Sequence, residues 1–274
     1  MRGLHGAAVH VALAQADRLD TLRQRHLQRN PLLRFGAKHF SQNDEDGLIE
    51  EICSRVLGDR TGSFIEIGVG DGIENNTLNL LSQGWSGVWL GGEPLRLTRT
   101  GPRLHFKQCW IDRENVSGLA HEAIKAAGIE LPDLISVDLD GNDFDICCAL
   151  LADGLRPGVW VVEYNGRFST RTRWVMPYDR AHRWTGDDYF GSSLCAFHEL
   201  FTKFGYRLVT CNLTGANAFF VHRDFSHLFA DVPDDWRSVA MPANYVVFPP
   251  AGHPASIRTI ESFLGEKPTD SVAP

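Results

Sequence analysis

No stretch of the 274-residue chain approaches the ~18 consecutive apolar residues of a membrane-spanning helix. Basic side chains are in the minority: 27 Lys and Arg face 34 Asp and Glu, a formal net charge of -7. A surface of that sign repels phosphate backbones, which argues against nucleic acid as a partner. The six cysteines (Cys53, Cys109, Cys147, Cys148, Cys195, Cys211) show no C-x-x-C spacing. That argues against structural zinc and against a disulfide framework. Most sit inside apolar segments, as small buried thiols do, and the expected compartment is the reducing cytoplasm. There is no internal repeat, and no glycine-rich loop carries the lysine of a P-loop.

What is present is ordinary in bulk. Hydrophobic content of 43% and charged content of 22% fit a chain that buries a sizeable core. The opening stretch "MRGLHGAAVHVALAQA" has an Arg, a short apolar part and an A-x-A-like end, which faintly resembles a signal peptide. His5 and His10 interrupt it, so the expectation is a helix that packs on the main domain and runs in helical spacing to Pro31. Residues 1–40 then form a helical extension, 41–248 the main domain and 249–274 a loosely ordered tail with a short helix at Ile257 to Leu264. A homodimer through the extension is one expected assembly.

From about residue 48 onward, helix-like and strand-like segments alternate. The strands Phe64 to Ile67, Ser86 to Leu90, Leu104 to Cys109, Leu134 to Asp138 and Val159 to Glu163 are mostly continuous apolar runs. The helices Asp44 to Leu57, Asn75 to Gln83, Val116 to Ala127, Phe144 to Leu151 and Leu194 to Phe204 surround them. Continuous apolar strands separated by helices predict a parallel sheet covered on both faces. "YRLVTC" and "NAFFVH", joined only by "NLTGA", demand an antiparallel pair. The expected fold class is α/β: a Rossmann-like, mostly parallel seven-stranded sheet with a terminal antiparallel strand.

"FIEIGVGDGIENNT" is a strand that stops at glycines. Open parallel sheets bind ligands at the carboxyl ends of their strands, where strand order reverses. Gly68, Gly70 and Gly72 lie at such an end. The spacing is G-x-G-x-G, and Glu66 and Asp71 would repel a pyrophosphate, so the loop suits a cationic or neutral centre. Glu93, after the second strand, is placed to accept hydrogen bonds from two ribose hydroxyls. Asp112, after the third, can receive an adenine amine. A nucleoside with a cationic tail fits these positions better than a dinucleotide. Two bland readings stand beside these: Glu66 as a cap for backbone amides, and Asp112 as a helix N-terminal acid.

Five blocks carry a resemblance: "SQNDEDGLIEEI", "FIEIGVGDGIENNTLNLLSQGWSGVWLGGEP", "LISVDLDGNDFDI", "VVEYNGRF" and "YFGSSLCAFHELFTKFGYRLVTCNLTGANAFFV". In this order they resemble class I S-adenosylmethionine-dependent methyltransferases, and more narrowly the FkbM-like methyltransferases, over roughly Ser41 to Val221. The resemblance implies that Glu66, Gly68 and Gly70 line the methionine part, Glu93 the ribose and Asp112 the adenine edge. In a closer register the ribose faces the position of Gly91 instead. It also implies O-methylation of a hydroxylated small molecule, a sugar or a natural product.

"SVDLDGNDFD" and "VVEYNG" place Asp138, Asp140, Asn142, Asp143, Asp145, Glu163 and Asn165 at two neighbouring strand ends. Carboxylates so gathered repel unless a cation, a proton or a basic group intervenes. Hard oxygen ligands suit magnesium or calcium. Catechol O-methyltransferase and its metal-dependent relatives are similar in using carboxylates and an amide from these strand ends; by position, Asp138, Glu163 and Asn165 are the counterparts, with Mg2+ as a possible cofactor. Without a metal, Asp138 is the candidate general base. Asp140 to Asp143 can equally be a turn that caps the following helix.

Between Arg167 and Phe190 lie five arginines, one histidine and six aromatics. Long irregular segments are commonly lids or binding loops, and 166–190 is expected to be one. Arginine forks and aromatic faces such as Arg167, Tyr178, Arg183 and Trp184 suit a carboxylate, a phosphate or a polar ring, with Asp140 and Asn142 as further acceptor contacts. His182 is the side chain there that titrates near neutrality and is a second candidate base. Two other functions stay open: a nucleotide- or metal-dependent hydrolase on a similar sheet, and a non-catalytic nucleoside-binding module.

Overall fold

Every apolar run read as a strand is one. The computed structural model describes residues 2–244 together with Ile257, Ile260, Glu261 and Leu264. Strands β1 (Ser63–Ile67), β2 (Ser86–Gly91), β3 (Leu104–Gln108), β4 (Leu134–Val137), β5 (Val159–Glu163), β6 (Tyr206–Cys211) and β7 (Asn217–His222) form one sheet in the order β3-β2-β1-β4-β5-β7-β6. The pairs from β3 to β5 are all parallel. Strand β7 is antiparallel to both neighbours, β5 and β6. The antiparallel strand is thus one place in from the edge. The short link after Cys211 forces β7 back beside β6, and it fills the space between β6 and β5.

Helices α1 (Arg2–Leu27), α2 (Glu45–Leu57), α3 (Leu78–Ser82), α4 (Val116–Ala126), α5 (Asp143–Ala152) and α6 (Leu194–Lys203) connect or flank the strands. Several helix boundaries have a local cause. Gly58, Gly84 and Gly128 take positive φ just past the ends of α2, α3 and α4. Ser193 caps α6 by accepting from the Ala196 N–H. In the extension, Leu19, Leu32 and Leu33 are buried in the same core as the sheet. Of the expected tail helix, Ile257, Ile260, Glu261 and Leu264 are helical, with Ile260 and Leu264 buried; its other positions and the remaining tail fall outside the described residues. No helix among the described residues is long and apolar enough to cross a membrane.

Strand order reverses between β1 and β4, so a crevice opens at their carboxyl ends. The backbone there is close-packed. Gly68 has φ +96°, and a Cβ on it would lie 1.5 Å from the Asp138 carbonyl oxygen. Gly70 has nothing within 4 Å. So Gly68 is required by the fold, whereas Gly70 is the glycine with open space beside it. Gly68→Ala is expected to lower stability by about 2 kcal/mol or more, and Gly70→Ala to stay within about 0.5 kcal/mol of the native chain. Urea unfolding of the two variants checks this.

Candidate active site

The glycine loop is tied down from behind. Glu66, at the end of β1, accepts from the Asn76 and Thr77 N–H groups and from the Thr77 hydroxyl. That hydroxyl in turn accepts from Trp89 Nε1 at 2.8 Å. The buried Glu66 carboxylate is therefore occupied with the turn that leads into α3, the capping role. Asp71 accepts from the Ile73 N–H and lies 3.4 Å from Arg96. Two cavities, about 230 and 390 Å³, flank this loop and share Gly70, Glu74 and Asn75.

The registers set the next layer. Ser136 pairs with Val161 and Val137 with Val162, so one step further Asp138 stands beside Glu163. Across the sheet Glu163 pairs with Asn217. Asp140 takes φ +52°, a value no other non-glycine residue among the described ones adopts. One oxygen of its carboxylate and one each from Asp138 and Glu163 lie within 4.8 Å of one another. Asp138 and Glu163 keep a small exposed face on the cavity and are otherwise packed by protein. Burial, reinforced by the neighbouring charges of Asp143 and Asp140, pushes the Asp138 carboxyl well above the usual carboxylate range. Burial and then the charge of Asp138 do the same to Glu163. Burial also raises Asp140, against the opposing pull of His182. Asp143 accepts from the Leu139 and Gly141 N–H groups and closes the turn.

A third cavity of about 580 Å³ adjoins the 230 Å³ one and shares Gln42, Asp140, Glu163 and Trp184 with it. Asn165, Arg167, Asp188 and Phe190 complete much of its wall. Behind both cavities lies a second tier of buried acids. Glu45 Oε1 accepts from the amides of Asn43, Asn212 and Asn217. Asp44 accepts from the Leu213 N–H, and burial lifts its carboxyl to about 7. Asp46 accepts three backbone N–H groups at 2.6–2.8 Å.

Segment 166–190 straps across the strand ends. Asn142 and Asp179 exchange a pair of hydrogen bonds between the Asn142 amide and the Asp179 backbone. Arg180 lies 2.7 Å from Asp112, Arg183 stacks over Trp110, and the Tyr178 hydroxyl donates to Glu114. The His182 ring nitrogen meets the Asp140 carbonyl at 3.2 Å.

Several expected roles change on this geometry. Asn165 donates to the Asp188 and Phe190 carbonyls and accepts from the Arg167 N–H, so its amide anchors the strap. Asp140 joins Asp138 and Glu163 instead. Glu93 is exposed, two residues past β2, and lines none of the three cavities. At the closer register, a Cβ on Gly91 would lie 2.0 Å from the Val69 carbonyl oxygen, so that position is backbone packing. Asp112 accepts from the Glu114 and Asn115 N–H groups and faces Arg180, which makes it a helix-start acid and a strap anchor. Asn142, Tyr178, Arg183 and His182 fasten the strap and line none of the three cavities, whereas Arg167 lines one and Trp184 two. Arg167 is itself paired with Asp188 at 2.8 Å, so it is not a free fork for an anion. Sequence reasoning missed Asn75, Asn217 and Gln42. Asn217 was within reach, because it opens the strand that the hairpin lays against Glu163.

No protein-family model matches the chain, and no curated protein matches it. Among solved structures it is similar to the MycE methyltransferase of the mycinamycin biosynthetic pathway, a structure with Mg and SAH: 13% identity over 78% of this chain and 51% of that one, TM-score 0.35. A protein of echinomycin biosynthesis, described by the conversion of a disulfide bond into a thioacetal group, is 14% identical over 75% of this chain and 92% of its own, TM-score 0.37. An O-methyltransferase family 2 protein from Planctomyces limnophilus DSM 3776, in complex with apigenin, is 12% identical over 78% and 61%, TM-score 0.32. The chain spans about half the length of the MycE chain. Likenesses at these values carry no weight for activity.

The raised carboxyls have a cost that can be measured. In the folded chain Asp138 and Glu163 hold protons at pH values where the unfolded chain, with ordinary carboxylates near 4, has lost them. Their contribution to stability is therefore greatest at low pH and falls as pH rises above the unfolded value. With divalent ions chelated, Asp138→Asn and Glu163→Gln are expected to raise Tm by a few degrees at about pH 8, and by less at about pH 5. Scanning calorimetry at the two pH values checks the sign; variants that melt below the native chain at the higher pH contradict it.

Proposed function

We propose that the chain is an S-adenosylmethionine-dependent methyltransferase that methylates a hydroxyl group of a small molecule such as a sugar or a natural product. One observation carries the reading. At the topological switch of a parallel sheet, the cavity beside the glycine loop and the 580 Å³ cavity meet at Asp140 and Glu163. Two ligands seated there face one another across a shared carboxylate wall. The larger cavity falls within the ~300–1,000 Å³ of ordinary small-molecule sites.

When bound, the sulfonium cofactor supplies an electrophilic methyl group; the acceptor oxygen forms a bond to that carbon as the carbon–sulfur bond breaks, leaving a neutral thioether. The chain's own work is positioning and proton handling. Asp138, raised by burial and like charge, is suited to take the hydroxyl proton. Gly70 leaves the backbone open to a ligand. Trp184 lies against both cavities and Phe190 gives the larger one an aromatic wall. His182 holds the Asp140 carbonyl and so keeps that residue turned toward the cluster. A hard divalent ion among the carboxylates would further lower the acceptor's pKa.

Calorimetric titration with S-adenosylhomocysteine tests the reading. One site with micromolar affinity in the native chain is expected, without any requirement for metal. Asp138→Asn should bind within about threefold of the native value, yet lose methyl transfer to hydroxylated acceptors by about a hundredfold or more. Absence of binding would remove the methyltransferase reading. Phosphate release from a nucleotide would then favour a hydrolase, and its absence a binding module.

A further inference from the structure

We propose that Asp138, Asp140 and Glu163 hold one hard divalent cation of calcium size, completed by the amide oxygens of Asn75 and Asn217.

The carboxylates alone would not make the case, since acidic clusters are common on proteins without an ion. The buried amides add independent support. Asn217 is only 6% exposed and Asn75 only 5%. Both line the same cavity as the three carboxylates. In each, the side-chain oxygen is buried and has no hydrogen-bond partner. The Asn217 orientation is fixed from the other end: its Nδ2 donates to Glu45 Oε1 at 3.2 Å. A carboxylate accepts only, so this amide turns its NH2 toward the acid and its oxygen away. Asn217 also pairs with Glu163 in register, so the two side chains leave the same face of the sheet. One Glu163 oxygen is likewise buried without a partner.

A buried polar atom left unmatched costs roughly 1–3 kcal/mol. Two amide oxygens and a carboxylate oxygen, left so on residues that line one cavity, are a donor set that suits a cation. The donors are all hard oxygens, with neither histidine nor cysteine in the group, which disfavours zinc and copper. Three carboxylates and two amide carbonyls exceed what Mg2+ usually takes from protein, since it keeps several waters and binds one or two carboxylates. They suit Ca2+, which accepts ~6–8 oxygens in flexible geometry. Asp140 is exposed, so the remaining positions can be water or an acceptor hydroxyl. This inference does not rest on the methyl-transfer reading, because the cation is bound by the chain alone.

The test uses the full chain with metal ions alone. Calorimetric titration with Ca2+ should show one site, and Mg2+ should bind more weakly by about tenfold or more. Tb3+, a surrogate for Ca2+, should emit on indole excitation through Trp184 and be displaced by Ca2+. Glu163→Gln and Asp140→Asn should each weaken Ca2+ by at least about tenfold. Asparagine tolerates the left-handed backbone at position 140, and a melting curve confirms that both variants fold. Trp184→Phe should reduce the Tb3+ emission. No Ca2+ heat up to millimolar concentration, or unchanged affinity in Glu163→Gln, overturns the site. Tighter Mg2+ than Ca2+ overturns its size. Because cofactor binding is read with S-adenosylhomocysteine and this site with ions, either proposal can fail while the other stands.

Discussion

Carboxylates crowded at the carboxyl ends of β4 and β5 are the constraint around which this molecule is arranged. The registers leave no choice: Asp138 and Glu163 follow matched positions on neighbouring parallel strands, so their charges stand side by side. The chain answers with a second ring of polar groups. Glu66 pins the turn into α3, and Glu45 pins the asparagines of the β6–β7 hairpin. These inner acids are satisfied by N–H donors, whereas the outer three are not, and that contrast separates architecture from site. Asp46 is as buried as Glu66 and accepts three backbone N–H groups on one oxygen; its other oxygen is buried without a partner, but Asp46 lines none of the three cavities.

The strap has a different character. Its root is buried, where Asn165 and the Ser192 backbone hold it to β5. Its far end rests on two exposed contacts, Arg183 over Trp110 and Tyr178 on Glu114, and on Arg180 against the buried Asp112. Trp184 lies toward that end and lines both cavities, so the strap sets how they communicate.

Much of this was legible in the sequence, for a physical reason. Strands covered on both faces must be apolar along their whole length, and β1, β2, β4 and β5 show it. The hairpin was forced by its short link, and the meeting of Asp138 with Glu163 follows from strand ends alone. What was not legible depends on where side-chain hydrogen bonds go. Asn165 looks like a ligand until its amide is found on the strap. Asp112 looks like an adenine contact until Arg180, 68 positions away, is found beside it. The arginines of the strap suggested an anionic acceptor, yet Arg167, Arg173 and Arg180 are paired with Asp188, Glu199 and Asp112. Such long-range pairings leave no periodic trace in the chain.

The charge of the site bears on how a transferase could use it. A methyl donor enters cationic and leaves neutral, with the charge dispersed in between. Fixed negative charge beside the sulfonium therefore stabilises the starting complex more than the transition state, which slows the step rather than speeding it. Bare carboxylates at this cluster would work against methyl transfer while favouring release of the neutral product. A proton or a cation among Asp138, Asp140 and Glu163 removes that penalty. A cation also places positive charge on the acceptor side, where the oxygen becomes more nucleophilic as it loses its proton. The unmatched amide oxygens of Asn75 and Asn217 favour the cation over the proton, because a shared proton satisfies a carboxylate pair and leaves those two oxygens as they were.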